Sequence, residues 1–595
     1  MRRYNLSMVM AALMQVPFAC YATPTTFTAN LTQGLEVPAT GSTATGSATF
    51  VLDQAANTLS VHVTFSGLTS GTTASHIHCC LDFPFETGLN VGVATTTPTF
   101  AGFPLGVTSG TYDRTLDLTL ASSYNPAFVT AQGGTVAKAE ATLIRGIVTG
   151  ETYLNIHTTN FPTGEIRGFL TVVATPARLS LLKTISIPAT PQNTLGKLFS
   201  FDISWVDPAN GLYYLADRSN AALDVIDTTG AFTGTPDTLF GQIGGTSSGQ
   251  ANFKGDTGTT ATSGPDGVVA AFPCVFAGDG DSRLLSFNGS TSFTTVVSAL
   301  NTGGQFRVDE MAVDVADGLI LAANNADTPA FATLATYNKS TCALSNPIKI
   351  PLDTLPSGDK VTNGAEQPAW DPSSKAFYVS LPEINGPGDG TGIHGAVIKI
   401  STSGVVQATY PINYCQPAGL TSGPNGDLLV GCNSVFDTSG KKCSAVVPSP
   451  SPNATVGHPA TCTGTGFPQS AICNPGRGCT GNALVSVPGA GGGDEVFFNS
   501  GDGNYYVTAG NDPKGPLFGV VVSGTSATQP NTLTQVVPTL PPVPAVLVAP
   551  GKHGAGTAHS IAASAAANNH VYVPLPANTS YPNCATGCVA VFAVQ

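Results

Sequence analysis

Two patterns of apolar and polar positions divide this chain, and both are β patterns. Over residues 48–52 and 58–65 the side chains alternate at period two, as on a strand with one face in a core and one in water. Residues 115–120 do the same, and the stretch from 23 to about 175 reads as strand and turn throughout. From about residue 200 a repeated unit takes over. Its clearest copy spans 366–382: a polar pair, Glu366-Gln367, then Ala369-Trp370, a turn over 371–375, and an apolar strand containing Phe377, Tyr378 and Val379.

Copies of the unit begin near Phe201, Gly264, Asp309, Glu366, Cys415, Asp494 and His559, at spacings of roughly 45–70 residues. Seven copies of three or four strands each predict a seven-bladed β-propeller over 176–595. The last copy stops after its third strand. Residues 179–188 can supply the missing outer strand, which would close the ring and remove its two open edges. In the fifth copy, 483–487 reads as the third strand, reached across a Cys/Pro/Gly-rich insertion at 433–482 whose bulk reads as surface loop. The pattern resembles NHL/YVTN-type propellers, a fold that hosts many functions.

The first 22 residues read as an export signal. Arg2-Arg3 precede an apolar run over 6–18, and Cys20-Tyr21-Ala22 offers small residues for cleavage after Ala22. Residues 4–6 fit poorly what should follow a twin arginine, so the Sec route is preferred, and the mature chain is expected in the periplasm or outside the cell. No later segment reaches the ~18 apolar residues of a membrane span. The chain has 13 cysteines, and losing Cys20 leaves twelve, an even number that suits disulfides in an oxidising compartment. Cys584 with Cys588 is one local pair, and Cys432, Cys443, Cys462, Cys473 and Cys479 form a group. The vicinal Cys79 and Cys80 either bond each other or find separate partners.

With 595 residues the chain exceeds one core, which fits a 23–175 domain followed by the propeller. Its 23 Lys+Arg against 36 Asp+Glu give a net charge of −13, without a basic run. Nucleic acid and anionic membrane surfaces are poor partners for such a chain, because phosphates need clustered cations.

Within the first domain two segments stand out: 74–80 (ASHIHCC), and 153–158 (YLNIHT) followed by 161–170 (FPTGEIRGFL). Together they resemble the CHRD (chordin-type) domain. The resemblance implies a β-sandwich or small β-barrel found in secreted and surface proteins, and names a module, not a reaction. Read from the residues, His76 and His78 share one strand face and His157 lies in another strand. Converging, they would suit Zn or Cu; otherwise each bonds a backbone carbonyl or Glu165. Glu165 and Arg167, two apart, read as an ion pair closing the last hairpin.

Aligned on their turns, the propeller copies place polar residues where each innermost strand begins. Asp202, Glu310, Glu366, Gln416, Glu495 and His559 are therefore expected to ring the channel mouth, where they would suit a small ligand or a divalent cation, Ca²⁺ or Zn²⁺. Otherwise they are solvated strand caps. Gluconolactonase-like propellers hold a metal in the corresponding region, an analogy of position alone. The chain shows no G-x-S-x-G, H-E-x-x-H or P-loop signature. Binding thus outranks catalysis: an exported CHRD-propeller binding or scaffold module for a protein, glycan or small molecule. The alternatives are a metal-dependent lactonase-type hydrolase and an envelope or matrix adhesion protein.

Overall fold

The computed structural model describes residues 24–594 apart from 82–88, 149, 174–178, 246–251, 291, 424–425, 437–439, 443–468, 480–483, 489–493, 510–516, 523–532, 539–557, 568 and 580. The leader, Cys443 and Cys462 lie outside these residues.

Period-two alternation builds the first sheet. Its elements are β1 (Thr25–Thr32), β2 (Thr45–Asp53), β3 (Thr58–Ser66), β4 (Thr72–His78), β5 (Gly110–Asp117), α1 (Pro126–Ala131), α2 (Val136–Val148), β6 (Tyr153–Thr158), β7 (Ile166–Phe169) and β8 (Thr171–Val172). The strand order is β4-β6-β7-β1-β2-β3-β5, with β8 on β1. β3 buries alternate residues, Leu59, Val61, Val63 and Phe65. Ile77 of β4 and Leu154 and Ile156 of β6 join the same core, so the sheet curls to bring distant strands together.

The continuous β pattern expected here breaks at the two helices. Pro126 opens α1 behind Asn125, whose side chain accepts from the Ala127 N–H at 3.0 Å. Along α2, Ala139, Leu143 and Ile147 recur every four residues and are buried on one face. That helical period is short and alanine-rich, and the strands on either side mask it.

After β9 (Leu179–Ser186) come six propeller-like blades, each of four consecutive antiparallel strands. The first holds β10 (Ser204–Asp207), β11 (Leu212–Asp217), β12 (Ala222–Asp227) and β13 (Thr238–Gly244). The second holds β14 (Val268–Ala271), β15 (Cys274–Asp279), β16 (Arg283–Asn288) and β17 (Ser292–Asn301). The third holds β18 (Met311–Asp314), β19 (Leu319–Asn324), β20 (Phe331–Tyr337) and β21 (Leu344–Pro351). The fourth holds β22 (Pro368–Asp371), β23 (Ala376–Leu381), β24 (His394–Ser401) and β25 (Val406–Asn413). The fifth holds β26 (Cys415–Ser422), β27 (Leu428–Val435), β28 (Gln469–Cys473) and β29 (Leu484–Pro488). The sixth holds β30 (Val496–Asn499), β31 (Asn504–Ala509), β32 (Leu517–Val522) and β33 (Leu533–Pro538). A composite sheet then joins β34 (Ala562–Ser564), β35 (His570–Leu575) and β36 (Cys588–Val594) to β9 from the other end of the region.

The fifth blade corrects one expectation. Its third strand is β28, inside the stretch read as surface loop, and the strand expected third, β29, is fourth. β28 is five residues long with a Cys at its end, too short a signal to stand out from its surroundings.

β36 and β9 pair antiparallel, from Cys588 with Ser186 to Val594 with Leu179. Each innermost strand touches the next, and β34 touches β10. Apolar clusters fill the gaps between sheets: Ile185, Tyr572 and Val591 of the composite sheet pack with Tyr213, Leu215 and Ile226 of the first blade. Disulfides join Cys79–Cys80, Cys274–Cys342, Cys415–Cys432, Cys473–Cys479 and Cys584–Cys588. Among the described residues no helix is long and apolar enough to cross a membrane.

Candidate functional site

The innermost strands begin at one end of the central channel, and the chain just before them carries the polar side chains there. Asp202 pairs with Arg218 and accepts from His559 Nε2 at 2.8 Å. His559 also lies 3.1 Å from Asp494. Arg218 reaches Asp266 at 2.9 Å, and Arg307 reaches Asp309 at 2.7 Å and Asp266 at 3.5 Å. The two arginines were not expected from sequence. Their only signal is adjacency: Arg218 follows Asp217, and Arg307 stands two before Asp309.

Charge and burial oppose each other in this cluster. Burial would raise Asp202, but Arg218, His559 and Arg307 outweigh it and hold the carboxylate below its usual range. Burial would lower His559, yet Asp494 and Asp202 raise it. Burial, helped by Asp309 and Asp494, pushes Glu366 up to about 8. Ligand atoms of Asp202, Asp494 and His559 lie within 4.8 Å of one another, as do those of Asp202, Asp266 and Asp309. In the second group the guanidinium groups of Arg218 and Arg307 already stand among the carboxylates.

The six residues expected at the mouth therefore divide. Asp202 and His559 meet there, and Glu366 accepts from Asn325 at 3.4 Å. Gln416 instead turns to the backbone, donating to Gly390 O at 2.7 Å, because a buried amide beside a glycine loop takes the nearest carbonyl. Glu495 is 1 % exposed and accepts from Ser204 N at 3.2 Å, Ile561 N at 3.1 Å and the Ser560 hydroxyl. It binds neighbouring strands together and does not face the mouth.

Inward of the mouth lies a cavity of about 470 Å³, walled by Ile203, Trp205, Met311, Ala369, Val496 and Phe498. Its lining runs from Glu310 and Gln367, where inner strands begin, to residues 371–373 and Ser500, where they end. Leu35, Phe169 and Val172 of the first sheet's domain also line it. That domain sits at the end where the inner strands finish: Ala565, just past β34, packs on its core, and Arg145 and Glu151 act electrostatically on Asp207. Two buried polar atoms of the lining residues lack hydrogen-bond partners among the described residues, Glu310 Oε2 and Trp370 Nε1. Burial first, then Asp309 and Glu366, raises the Glu310 carboxyl well above its ordinary value. Trp370 packs on Phe377, its partner in the same blade, with ring centroids 4.6 Å apart, and it lines the cavity as well.

The first domain holds a second constellation. β4 and β6 pair with His76 opposite Asn155 and Ala74 opposite His157, which brings the three histidines onto one patch. Ring centroids lie 6.0 Å apart for His76–His78, 5.2 Å for His76–His157 and 6.2 Å for His78–His157. Each ring gives one nitrogen to a carbonyl: His76 Nε2 to Pro98 O at 2.6 Å, His78 Nδ1 to Val91 O at 2.7 Å, His157 Nδ1 to Pro162 O at 2.9 Å. A carbonyl only accepts, so those nitrogens carry the protons. Burial lowers all three rings, His76 and His78 to about 4, which keeps them neutral. The remaining nitrogens are lone-pair donors.

Glu165 and Arg167 do not form the expected ion pair. Glu165 is held by Ser42 at 2.6 Å, Thr158 at 2.7 Å and the Thr69 N–H at 2.8 Å. Arg167 lies over the Tyr153 ring at 4.5 Å and bonds Asn90 at 2.9 Å. Tyr153 in turn stacks on His78 at 4.7 Å. The Cys79–Cys80 disulfide seats on α2 at Gly146, where a Cβ would stand 2.6 Å from Cys79 Sγ.

The curled β-domain has a counterpart among known families. Residues 27–170 match the CHRD domain model. The hydrazine synthase of Kuenenia stuttgartiensis is similar over 68% of this chain and 96% of that one, at 11% identity and a TM-score of 0.40. The Cps50 (Swd1) β-propeller domain of Myceliophteria thermophila covers 70% of this chain and 100% of its own, at 6% identity and a TM-score of 0.41. Sqt1 from Chaetomium thermophilum covers 70% and 100%, at 10% identity and a TM-score of 0.38. None of these likenesses bears on ligand or activity. No curated protein matches the chain.

Proposed function

We propose that this is an exported binding module in which the CHRD domain closes one end of a propeller channel, and the channel holds a small, mostly apolar ligand. The observation that carries this reading is the cavity of about 470 Å³, walled mostly by apolar side chains, whose lining includes Glu310 and Trp370. Ligand pockets combine such a volume with a few polar groups that orient the guest. The indole N–H donates and a carboxyl can donate or accept, so a guest carrying a carbonyl or hydroxyl oxygen suits both.

The division we favour is a leader over 1–22, a CHRD domain over 23–175 and a propeller over 176–595 with an insertion near 433–482. Counting the composite sheet as a blade makes the ring seven-bladed. Five disulfides among the described residues support export to an oxidising compartment. The lactonase-type alternative has less support, because Arg218 and Arg307 occupy the space among Asp202, Asp266 and Asp309 that a divalent cation would need there.

The chain has two tryptophans, and both line the cavity, so intrinsic fluorescence reports on it directly. Titration with medium-chain ketones and alcohols should change the emission saturably, and alkanes of equal length should bind about tenfold more weakly. Glu310→Leu should erase that preference. Emission indifferent to every probe would overturn the reading.

A further inference from the structure

We infer that His76, His78 and His157 form a metal centre for a borderline first-row transition ion, Zn²⁺ or Cu²⁺, within the CHRD domain. The donors are the second nitrogen of each ring: His76 Nδ1, His78 Nε2 and His157 Nε2. One nitrogen from each of the three rings lies within 4.8 Å of the other two. His76 Nδ1 and His157 Nε2 are buried with no hydrogen-bond partner among the described residues. His76 and His78 are 6 % and 8 % exposed, so little water reaches them.

A buried imidazole nitrogen without a partner forfeits the hydration it had in the unfolded chain. Here two such atoms converge with a third. His78 Nε2, left unprotonated by the bond from Nδ1 to Val91 O, faces Asn155 Oδ1 at 3.1 Å, acceptor against acceptor. A cation between the rings, or the amide turned round, removes that conflict. The cation satisfies all three nitrogens together; the amide satisfies one.

The carbonyls of Pro98, Val91 and Pro162 do what partners of metal-binding histidines do: they take the far N–H, fix the tautomer and aim the lone pair. Tyr153 stacked on His78 restricts that ring further. Zinc with nitrogens about 2.0–2.1 Å away places them about 3.3 Å apart, so binding would draw the rings inward by rotation. Three neutral nitrogens suit Zn²⁺ or Cu²⁺ and offer little to Ca²⁺ or Mg²⁺, which need oxygen. A fourth position is left for water or an incoming ligand. This inference is independent of the channel reading, since no histidine of the trio lines the cavity.

The test uses the full mature chain stripped with a chelator, then titrated with Zn²⁺, Cu²⁺ and Ca²⁺ by competition against a chromophoric chelator. One equivalent of Zn²⁺ or Cu²⁺ should bind, and Ca²⁺ should leave that site empty. His76→Ala and His157→Ala should each weaken binding about 100-fold or more, whereas His62→Ala and His394→Ala should not change it. The Cu²⁺-loaded native protein should show imidazole nitrogen coupling in its paramagnetic resonance spectrum, a readout that does not depend on any variant folding. Absence of stoichiometric binding, unchanged affinity in a folded His76→Ala/His157→Ala variant, loss of the ion on His394→Ala, or a copper spectrum without nitrogen coupling would each overturn the inference.

Discussion

Glu495, directly before β30, accepts the backbone N–H of Ser204, 291 positions earlier in the chain, at 3.2 Å. The same carboxyl takes the Ile561 N–H at 3.1 Å and the Ser560 hydroxyl, so one side chain joins the starts of β10, β30 and β34. These are the strands where the first blade, the sixth blade and the composite sheet meet. Glu495→Ala strips buried donors of their acceptor, and each unsatisfied group costs about 1–3 kcal/mol. We predict a loss of about 3–5 kcal/mol in urea unfolding, with Glu495→Gln losing less because its amide oxygen still accepts. A folded Glu495→Ala protein with an unchanged urea midpoint would remove Glu495 from ring closure.

Arg307 illustrates the opposite logic. It is paired with Asp309 at 2.7 Å and stands near Asp266 at 3.5 Å, both carboxylates buried. Arg307→Met should fill a similar volume yet leave Asp309 without its ion-pair partner, while Asp266 keeps Arg218, at a cost of about 3–5 kcal/mol. Adding Asp309→Asn in the same chain should recover part of the loss. If the single variant melts with the native protein, the cluster is solvated and the pairing carries no weight.

What was legible in the sequence was what local chemistry decides. The turn over 371–375 and the apolar residues on either side predict β22 and β23, because a strand–turn–strand needs only neighbours in sequence. The meeting of His76, His78 and His157 also follows from short motifs, once β4 and β6 pair. Arg218 and Arg307 were not legible: each sits outside a strand, and only closing the ring gives them partners from other blades. Glu495 and Gln416 were misplaced for the same reason. Being polar at the start of an inner strand does not decide whether a side chain turns to the mouth or to a neighbouring backbone. α2 was hidden because its helical period runs for only 13 residues, between segments whose pattern reads as strand.

Glu36 should make the first domain's stability fall as pH rises. It is 6 % exposed, and its Oε1 has no hydrogen-bond partner among the described residues. Burial raises its carboxyl from 4.5 to about 7, against the pull of Arg167. The folded chain thus holds a proton that the unfolded chain releases near 4.5. The stabilising contribution is complete below that pH and is lost as pH climbs through about 7. At about 1.4 kcal/mol per pH unit the loss is about 3 kcal/mol at most. Urea unfolding of native and Glu36→Gln protein between pH 4.5 and 8 should give curves that converge at the acid end and separate toward pH 8, the variant being the more stable. Parallel curves would show that Glu36 ionises normally.

Cys274 and Cys342 join two blades across a sequence separation of 68, whereas Cys584 and Cys588 are separated by 4. Cys274 opens β15 and Cys342 lies just beyond β20, and both are fully buried. In the chain-entropy account a cross-link stabilises by restricting the unfolded chain, and the effect grows with the logarithm of the loop it closes. The longer loop then contributes about 4 kcal/mol and the shorter about 2 kcal/mol. Replacing each pair by alanines should lower the urea midpoint in that order, Cys274/Cys342 more than Cys584/Cys588. Burial of both pairs is similar, so the difference isolates loop length from the packing lost with the sulfurs. If the short-loop variant proves the weaker, the disulfides act through native packing at the ring closure, where Cys588 begins the strand that pairs with β9.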